Sequence, residues 1–337
     1  MKILLAPLNW GLGHATRCIP LVRQFLEQGN EVVLAGDGDS LLILQRHFPT
    51  LRTITFPSLE LRYTENNQQR GFYLRALPQL LRYAIANRYY LHQQLAIEHF
   101  DLIVSDNRLG FYSRQVHSVY ITHQLYVRLP RRLRWLQPLA RAMHACVYTR
   151  YNEVWVPDYA DPVHNLAGEL CHGGIYDHRV KYIGPLSRFT PSEETPKEHR
   201  RDTEGMPKHP HALLAENSEY SVVAILSGLE PQRSIFEQQI LERYAHSADK
   251  VLIVRGKVAE AQTMISRNNI TMVASLNDRA LQEIIGRADK VIARSGYSTI
   301  MDLEALRALH KAELHPTPGQ SEQEYLASRL SPFASRL

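Results

Sequence analysis

The sequence predicts an α/β protein with two parallel sheets, each flanked by helices. Three observations carry this. Short apolar runs alternate with helical stretches along nearly the whole chain, the rhythm of a parallel sheet covered on both faces. A stretch at 185–218, rich in Pro, Glu, Lys and His and poor in apolar residues, divides the series in two. The length of 337 residues suits two domains.

In the first half, strands are read at 2–6, 31–35, 52–56, 101–104, 118–121, 153–156 and 180–183. The helix at 14–28 follows the first strand, with Ile19, Leu21, Val22, Phe25 and Leu26 at helical spacing. In the second half, strands are read at 221–226, 250–254, 270–274, 290–293 and 311–315. The expected units are a first domain at 1–186, a linker at 187–218 and a second domain at 219–337.

Composition narrows the function classes. Hydrophobic content of 44% and charged content of 22% are ordinary for a soluble globular protein. The net charge of +5 and pI near 9.0 come without a nucleic-acid-binding motif, so no nucleic-acid partner is expected. Cys18, Cys146 and Cys171 are scattered and form no C-x-x-C, which fits a reducing compartment and no structural zinc. The N-terminal apolar run is too short for a signal peptide and reads as the first strand. No apolar run reaches about 18 residues, so no spanning helix is expected. These features together suggest a cytoplasmic protein.

The chemistry-bearing residues sit just after strands, where ligands bind in such sheets. Gly11-Leu12-Gly13-His14-Ala15-Thr16 resembles the opening of a dinucleotide fingerprint, with Asp37 at the end of the next strand. Thr16 occupies the third glycine position, which argues against NAD or FAD. The glycines still allow close backbone approach to a ligand. His14 either serves as a general base or caps and packs its helix. Asp37-Gly38-Asp39 resembles a metal-binding D-x-D but is read as turn chemistry. After the fourth strand, Asp106 is placed to orient or deprotonate a hydroxyl, Asn107 adjoins it, and Arg108 is placed to hold an anion. Turn chemistry explains Asp106-Asn107 equally well. Thr122-His123-Gln124 after the fifth strand has the same two readings.

Two segments mix basic and apolar side chains. One, at 72–95, carries Leu74, Leu77, Leu80, Leu81 and Ile85, and fits a core helix with solvated arginines. The other, at 128–150, joins arginines to Trp135 and several leucines, and is read as an amphipathic contact for an anionic membrane.

The second half holds two more strand–loop–helix turns. Ser227-Gly228 precedes a helix that starts near Ser234, with Arg233 able to reach a phosphate. Arg294-Ser295-Gly296 follows the strand at 290–293, and Ser298 and Thr299 open a helix with Ser298 as its expected N-cap and Asp302 close behind. Such turns seat anions, because free N–H groups and the helix dipole point into them. One strand later, Gln320, Glu322 and Gln323 begin another helix. Carboxylate and amide groups there suit a ligand with several hydroxyls.

These residues resemble a GT-B glycosyltransferase. Gly11-Leu-Gly-His14, Arg294-Ser-Gly-Tyr-Ser-Thr-Ile-Met-Asp302 and Gln320-Ser-Glu-Gln-Glu-Tyr-Leu-Ala327 are similar to glycosyltransferase family 28, which includes the GlcNAc transferase of the peptidoglycan lipid precursor. The C-terminal motif is the specific part. The resemblance implies two Rossmann-like domains facing a cleft, with the second holding a UDP-sugar. By position, Asp302 would meet the ribose hydroxyls, while Ser295, Gly296, Ser298 and Thr299 would border the pyrophosphate. Glu322 and Gln323 would contact the sugar, and Ser227, Gly228 and Arg233 would lie near the nucleotide. The first domain would hold the acceptor, with His14 at the reaction centre. The implied reaction is inverting transfer, of a HexNAc in family terms, to a lipid-linked or cell-envelope acceptor at the inner membrane face. UDP-sugar is then a co-substrate, and neither cofactor nor obligatory metal is implied. Asp302 is shorter than the family's usual Glu. The chain ends at Leu337, soon after the Gln323 helix, where a final crossover helix is often found. An epimerase of the same fold and a nucleotide-sugar binder without turnover are the alternatives.

Overall fold

The structure is a computed structural model that describes residues 1–59, 72–129, 131–172, 178–189, 220–228, 230–257 and 264–330. Most of the expected linker, and residues 331–337, therefore lie outside the described residues.

The first sheet has seven strands, β1 (Lys2–Pro7), β2 (Glu31–Gly36), β3 (Thr53–Thr55), β4 (Leu102–Asp106), β5 (His117–Ile121), β6 (Glu153–Val156) and β7 (Val180–Tyr182). Their order is β3-β2-β1-β4-β5-β6-β7, and every pairing is parallel. The helices of this half are α1 (Gly13–Glu27), α2 (Gly38–His47), α3 (Phe72–Ile97), α4 (Gln137–Tyr148) and the short α5 (Glu169–His172). The second sheet comprises β8 (Val222–Ile225), β9 (Val251–Val254), β10 (Met264–Arg267), β11 (Ile270–Val273), β12 (Lys290–Arg294) and β13 (Ala312–His315). It runs β10-β11-β9-β8-β12-β13. The helices here are α6 (Gln232–Tyr244), α7 (Asp278–Arg287), α8 (Tyr297–Ala305) and α9 (Ser321–Leu330).

β10 is the strand that the apolar runs do not announce. It pairs antiparallel with β11, and all four of its residues are exposed, so it has no core face to leave a pattern. The central strands are buried on both sides, while the edge strands β3 and β7 are only partly covered. Along β1, Ile3 and Leu5 enter one core while Leu4 and Ala6 enter another, which is why the run is continuously apolar.

Strand order creates two crevices. In the first sheet the order turns between β1 and β4, so the loops after these strands diverge. In the second it turns between β8 and β12. Ligands in parallel sheets bind at such switch points, beyond the carboxyl ends of the strands. The two lobes are packed together. One apolar core runs from Ile3 and Ile19 through Tyr297 to Val223 and Val291. Tyr297 Oη donates to the Pro157 carbonyl at 2.9 Å, and Ser321 Oγ donates across to the Arg128 carbonyl at 2.5 Å.

The expectation that Arg108 holds an anion is corrected. Its side chain is fully buried and ties three strand ends to α3. Nε donates to Asn87 Oδ1 at 3.0 Å, Nη1 to Asp37 Oδ1 at 2.9 Å and to the Pro7 carbonyl, and Nη2 to the Pro57 carbonyl at 2.7 Å. Asp37 is thereby consumed as well, since it also accepts from Asn9 Nδ2 at 3.0 Å. Removing the guanidinium leaves the Asp37 carboxylate buried and unpaired. Arg108→Ala should therefore lose about 3–5 kcal/mol of stability in a urea titration. A loss below about 1 kcal/mol would show that the pair is not a structural bolt.

Candidate active site

His14 is the second residue of α1, at the mouth of the first crevice. Asp106, the last residue of β4, meets it there, because β4 lies beside β1. The Asp106 side chain is fully buried. Its Oδ1 lies 3.3 Å from His14 Nδ1. Arg17, one turn after His14 and almost fully buried, grips the same carboxylate. Nε donates to Oδ2 at 2.7 Å, and Nη2 donates to Oδ1. Arg17 Nη2 also lies 2.9 Å from His14 Nδ1, and Nη1 lies 3.1 Å from His123 Nδ1. His123, beyond β5, continues the chain to the second lobe. Its Nε2 is 2.6 Å from Glu322 Oε1, and Gln124 Nε2 donates to Glu322 Oε2 at 2.6 Å.

Electrostatics follow from this burial. Desolvation alone would raise the Asp106 carboxyl; Arg17 and His14 overcome it and hold that carboxyl well below the usual carboxylate range. His14 is pushed below the ordinary histidine value by burial and then by Arg17, against the pull of Asp106. It is therefore a neutral imidazole near pH 7. Glu322 is also lowered, with the desolvation cost outweighed by His123, His14 and Arg17.

On the second lobe, β12 ends in the turn Ser295–Gly296 that opens α8. Ser295 Oγ donates to the Gln323 carbonyl at 2.8 Å, so the two candidate seats adjoin one another. A Cβ at Gly296 would meet nothing within 4 Å, which leaves its backbone open to a ligand. Ser298 is not the expected N-cap. The helix starts at Tyr297, and Ser298 Oγ instead donates to the Gly13 carbonyl of the first lobe at 2.8 Å. A Cβ at Gly13 would stand 2.8 Å from Ser298 Oγ, so glycine is what lets these loops touch. Tyr297 stacks flat on His123, with centroids 4.2 Å apart and planes 6° from parallel.

Between the lobes lies a cavity of about 440 Å³. Ile225, Leu226, Leu281 and Ile285 line its apolar side, and Ser227, Ser298, Thr299, Asp302 and Arg188 supply polar groups. That is the size and lining of a small-molecule site. Asp302 accepts from Ser187 Oγ at 2.7 Å and lies 3.5 Å from Arg188 Nε. Burial pushes its carboxyl up to about 6, against Arg188 and Ser187.

Other expected residues lie elsewhere. Arg294 turns away from the cavity, under Phe236, and donates to the Pro316 and Gln232 carbonyls. Burial alone lowers it to about 10. Arg233 is not in the cavity lining; it pairs with Glu230 at 2.7 Å and donates to the Gly256 carbonyl. Asn107 is a left-handed turn residue, φ 55°, whose Oδ1 accepts from Tyr120 Oη. Gly11 and Gly228 have positive φ and open space where a Cβ would stand. Gln320 begins the α9 turn, with its N–H on the Thr317 carbonyl and its own carbonyl accepting from Glu324 N–H. Gln323 Oε1 accepts from Thr317 N–H at 2.8 Å. Sequence reasoning passed over Arg17, Arg188 and Tyr297. For Arg17 a signal existed, since three residues after His14 places it on the same helix face.

No family model matches the chain. It is 22% identical over 346 aligned residues to an uncharacterized glycosyltransferase of Methanosarcina acetivorans, covering 96% of this chain and 82% of that one. Among solved structures it is similar to the kitacinnamycin glycotransferase (TM-score 0.56, 15% identity, 98% of this chain and 91% of that one). It is similar also to the calicheamicin glycosyltransferase CalG4 (TM-score 0.56, 12%, 98% and 83%) and to Arabidopsis thaliana UGT89C1 complexed with UDP (TM-score 0.51, 16%, 98% and 82%). With the two facing parallel sheets, these likenesses show the fold to be GT-B.

The raised Asp302 carboxyl has a consequence for stability. Between the ordinary value of 3.8 and about 6, the folded chain keeps a proton that the unfolded chain has released, so stability falls as pH rises across that window. Asp302→Asn should remove this slope. Against wild type, the variant should gain on the order of 3 kcal/mol between pH ~4 and pH ~6, and the gap should stay constant above. Parallel pH–stability curves for the two proteins would refute the assignment.

Proposed function

We propose that the chain is an inverting glycosyltransferase that moves a sugar, in the first instance a HexNAc, from a UDP-sugar to a hydroxyl of a lipid-linked or cell-envelope acceptor at the inner face of the cytoplasmic membrane. One observation carries this reading. The cavity between the lobes is lined by Gly13, Ser298, Thr299 and Asp302; Ser298 touches Gly13 next to His14, and the Ser295–Gly296 turn that opens the same helix touches Gln323, so the residues predicted for sugar and base stand beside the cavity lining, not in it. The uridine diphosphate occupies the cavity, with ribose toward Asp302 and the pyrophosphate on the N–H groups that open α8. A helix N-terminus with an open glycine turn takes phosphate charge without requiring a metal. The sugar extends toward Glu322 and Gln323.

His14 is the base. In the reactive form a hydrogen on Nδ1 points to Asp106, 3.3 Å away, in place of the 2.9 Å contact from Arg17 Nη2, and this leaves the Nε2 lone pair to receive the acceptor's proton. The acceptor oxygen forms the new bond to the anomeric carbon as the bond to the UDP oxygen breaks on the opposite face, which inverts the centre. Asp106, held ionised by Arg17, stabilises the imidazolium that results. UDP departs with its charge against the α8 N-terminus.

The membrane side of the proposal rests on one face of the first lobe. Residues 128–150 include six arginines and no aspartate or glutamate. Helix α4 buries none of its residues, and Trp135, Leu139 and Met143 are 76%, 56% and 50% exposed. Basic and apolar groups combined on one face suit an anionic bilayer. Among the described residues no helix is long and apolar enough to cross a membrane. For the segment at 72–95, the core-helix reading has Tyr83, Asn87 and Leu91 buried at i, i+4 spacing, with Leu81 and Ile85 exposed opposite. The side chains of Leu74 and Leu77 lie outside the described residues.

UDP release should be measured over a panel of UDP-sugars with membrane-lipid extracts. His14→Ala should lower the rate about 10²–10⁴-fold, and Glu322→Ala should raise the donor KM by about tenfold or more. Unchanged rates in both variants would remove the site assignment. Turnover of UDP-GlcNAc without any acceptor would mark a 2-epimerase instead, and UDP binding without turnover on any acceptor a binding protein. In the same preparation, the chain should co-sediment with phosphatidylglycerol vesicles at low salt and less so after Trp135→Ala with Arg134→Ala. Equal sedimentation of wild type and variant would refute the membrane contact.

A further inference from the structure

We propose that Arg17 is a positioning residue that fixes the hydrogens of two histidines at once, aiming His123 at Glu322 and orienting His14 on Asp106, so that the sugar seat and the base depend on one guanidinium. The proposal rests on the transferase reading above, and it assigns a role to a residue that touches no substrate.

The argument begins with what arginine can do. A guanidinium only donates. Arg17 Nη1 lies 3.1 Å from His123 Nδ1, so that nitrogen accepts and the ring hydrogen sits on Nε2. Nε2 is the atom 2.6 Å from Glu322 Oε1, so the hydrogen points at the acid that the proposed sugar must reach. Stacking on Tyr297 holds the ring in that plane. One partner thus determines both the tautomer and the direction of His123.

The same group acts on His14. Nδ1 of His14 has two neighbours, Arg17 Nη2 at 2.9 Å and Asp106 Oδ1 at 3.3 Å. With its hydrogen on Nδ1 it donates to Asp106, and Nε2 is free to act as base. With Nδ1 accepting from Arg17, Nε2 carries the hydrogen and cannot take a proton. The guanidinium hydrogens are fixed in its plane, so at 2.9 Å Nη2 donates to Nδ1 of His14 just as Nη1 donates to His123; the base form is reached when His14 turns an Nδ1 hydrogen to Asp106 and Arg17 gives up that contact while keeping Asp106 through Nε and Nη2. The groups facing His14 are Arg17 on its own helix, Asp106 from β4, His123 from beyond β5 and Glu322 from α9. Arg17 is the one that touches Asp106, His14 and His123 together. A lysine would supply the charge, but its single nitrogen cannot span three partners.

The test uses the full chain with ¹⁵N-imidazole-labelled histidine and long-range proton–nitrogen NMR, signals being assigned through His14→Gln and His123→Gln. Wild type should show His123 as the Nε2–H tautomer. Arg17→Lys should turn that signal into a tautomer mixture, raise donor KM several-fold and lower kcat about 10²-fold. Arg17→Gln should in addition move the acid limb of the pH–rate profile to higher pH, because the charge that opposes His14 protonation is gone; Arg17→Lys should leave that limb in place. A His123 tautomer unchanged in Arg17→Lys, or a Lys variant with wild-type KM and kcat, would overturn the proposal. Should Arg17→Gln fail to fold, the Lys variant decides. The NMR arm needs no turnover, so a wild type inactive on every sugar would count against the transferase reading while the tautomer result still tests Arg17.

Discussion

A carboxylate sealed from solvent constrains the rest of this site. Asp106 lies fully buried at the end of β4, and an isolated charge there would cost several kcal/mol. Only a partner with several donors at fixed angles can offset that cost, and Arg17 is that partner. The pairing fixes the rotation of α1 about its axis, since Arg17 must face β4. His14, one turn earlier, is carried onto the same face and into the crevice. The position of His14, the proposed base, is thus a consequence of neutralising Asp106, and the helix, the strand and the site form one mechanical unit.

The second lobe is registered against that unit by contacts that are individually small. The Ser298 hydroxyl meets the Gly13 carbonyl, Tyr297 lies on His123 and reaches the Pro157 carbonyl, and Glu322 takes His123 and Gln124. The Ser298–Gly13 contact joins the loops at the two switch points, and the others join loops one to three strands away from them. Beneath them the apolar core passes without interruption from lobe to lobe. The cavity exists because the packing stops short at the aliphatic side formed by Ile225, Leu226, Leu281 and Ile285.

How much of this was legible in the sequence depended on whether the signal was local. β1, β4 and β12 announced themselves as continuous apolar runs, because both their faces are buried. β10 did not, because neither face is. The places of His14 and Asp106 after their strands were readable, yet a sequence separation of 92 says nothing of contact; that required β4 to lie beside β1. Arg108 and Arg17 look alike in the sequence. One proved to bolt strand ends together and the other to face the crevice, a distinction made by sheet geometry alone. Arg294 and Ser295 were read as a single anion turn, but successive residues at a strand end point to opposite faces, so only Ser295 adjoins the Gln323 helix.

Glu322 carries a further consequence. Both of its oxygens are satisfied by an imidazole and an amide from the other lobe. If Glu322 meets the donor sugar as proposed, that sugar enters an exchange with groups that belong to the protein and never diffuse away. A sugar with hydroxyls in the right places replaces two good hydrogen bonds with two others. A sugar lacking one of them leaves a carboxylate better served by its old partners, which return and expel it. Discrimination among sugars is then achieved by an internal rival, and the measured affinity of even the correct one is lower than its contacts alone would give.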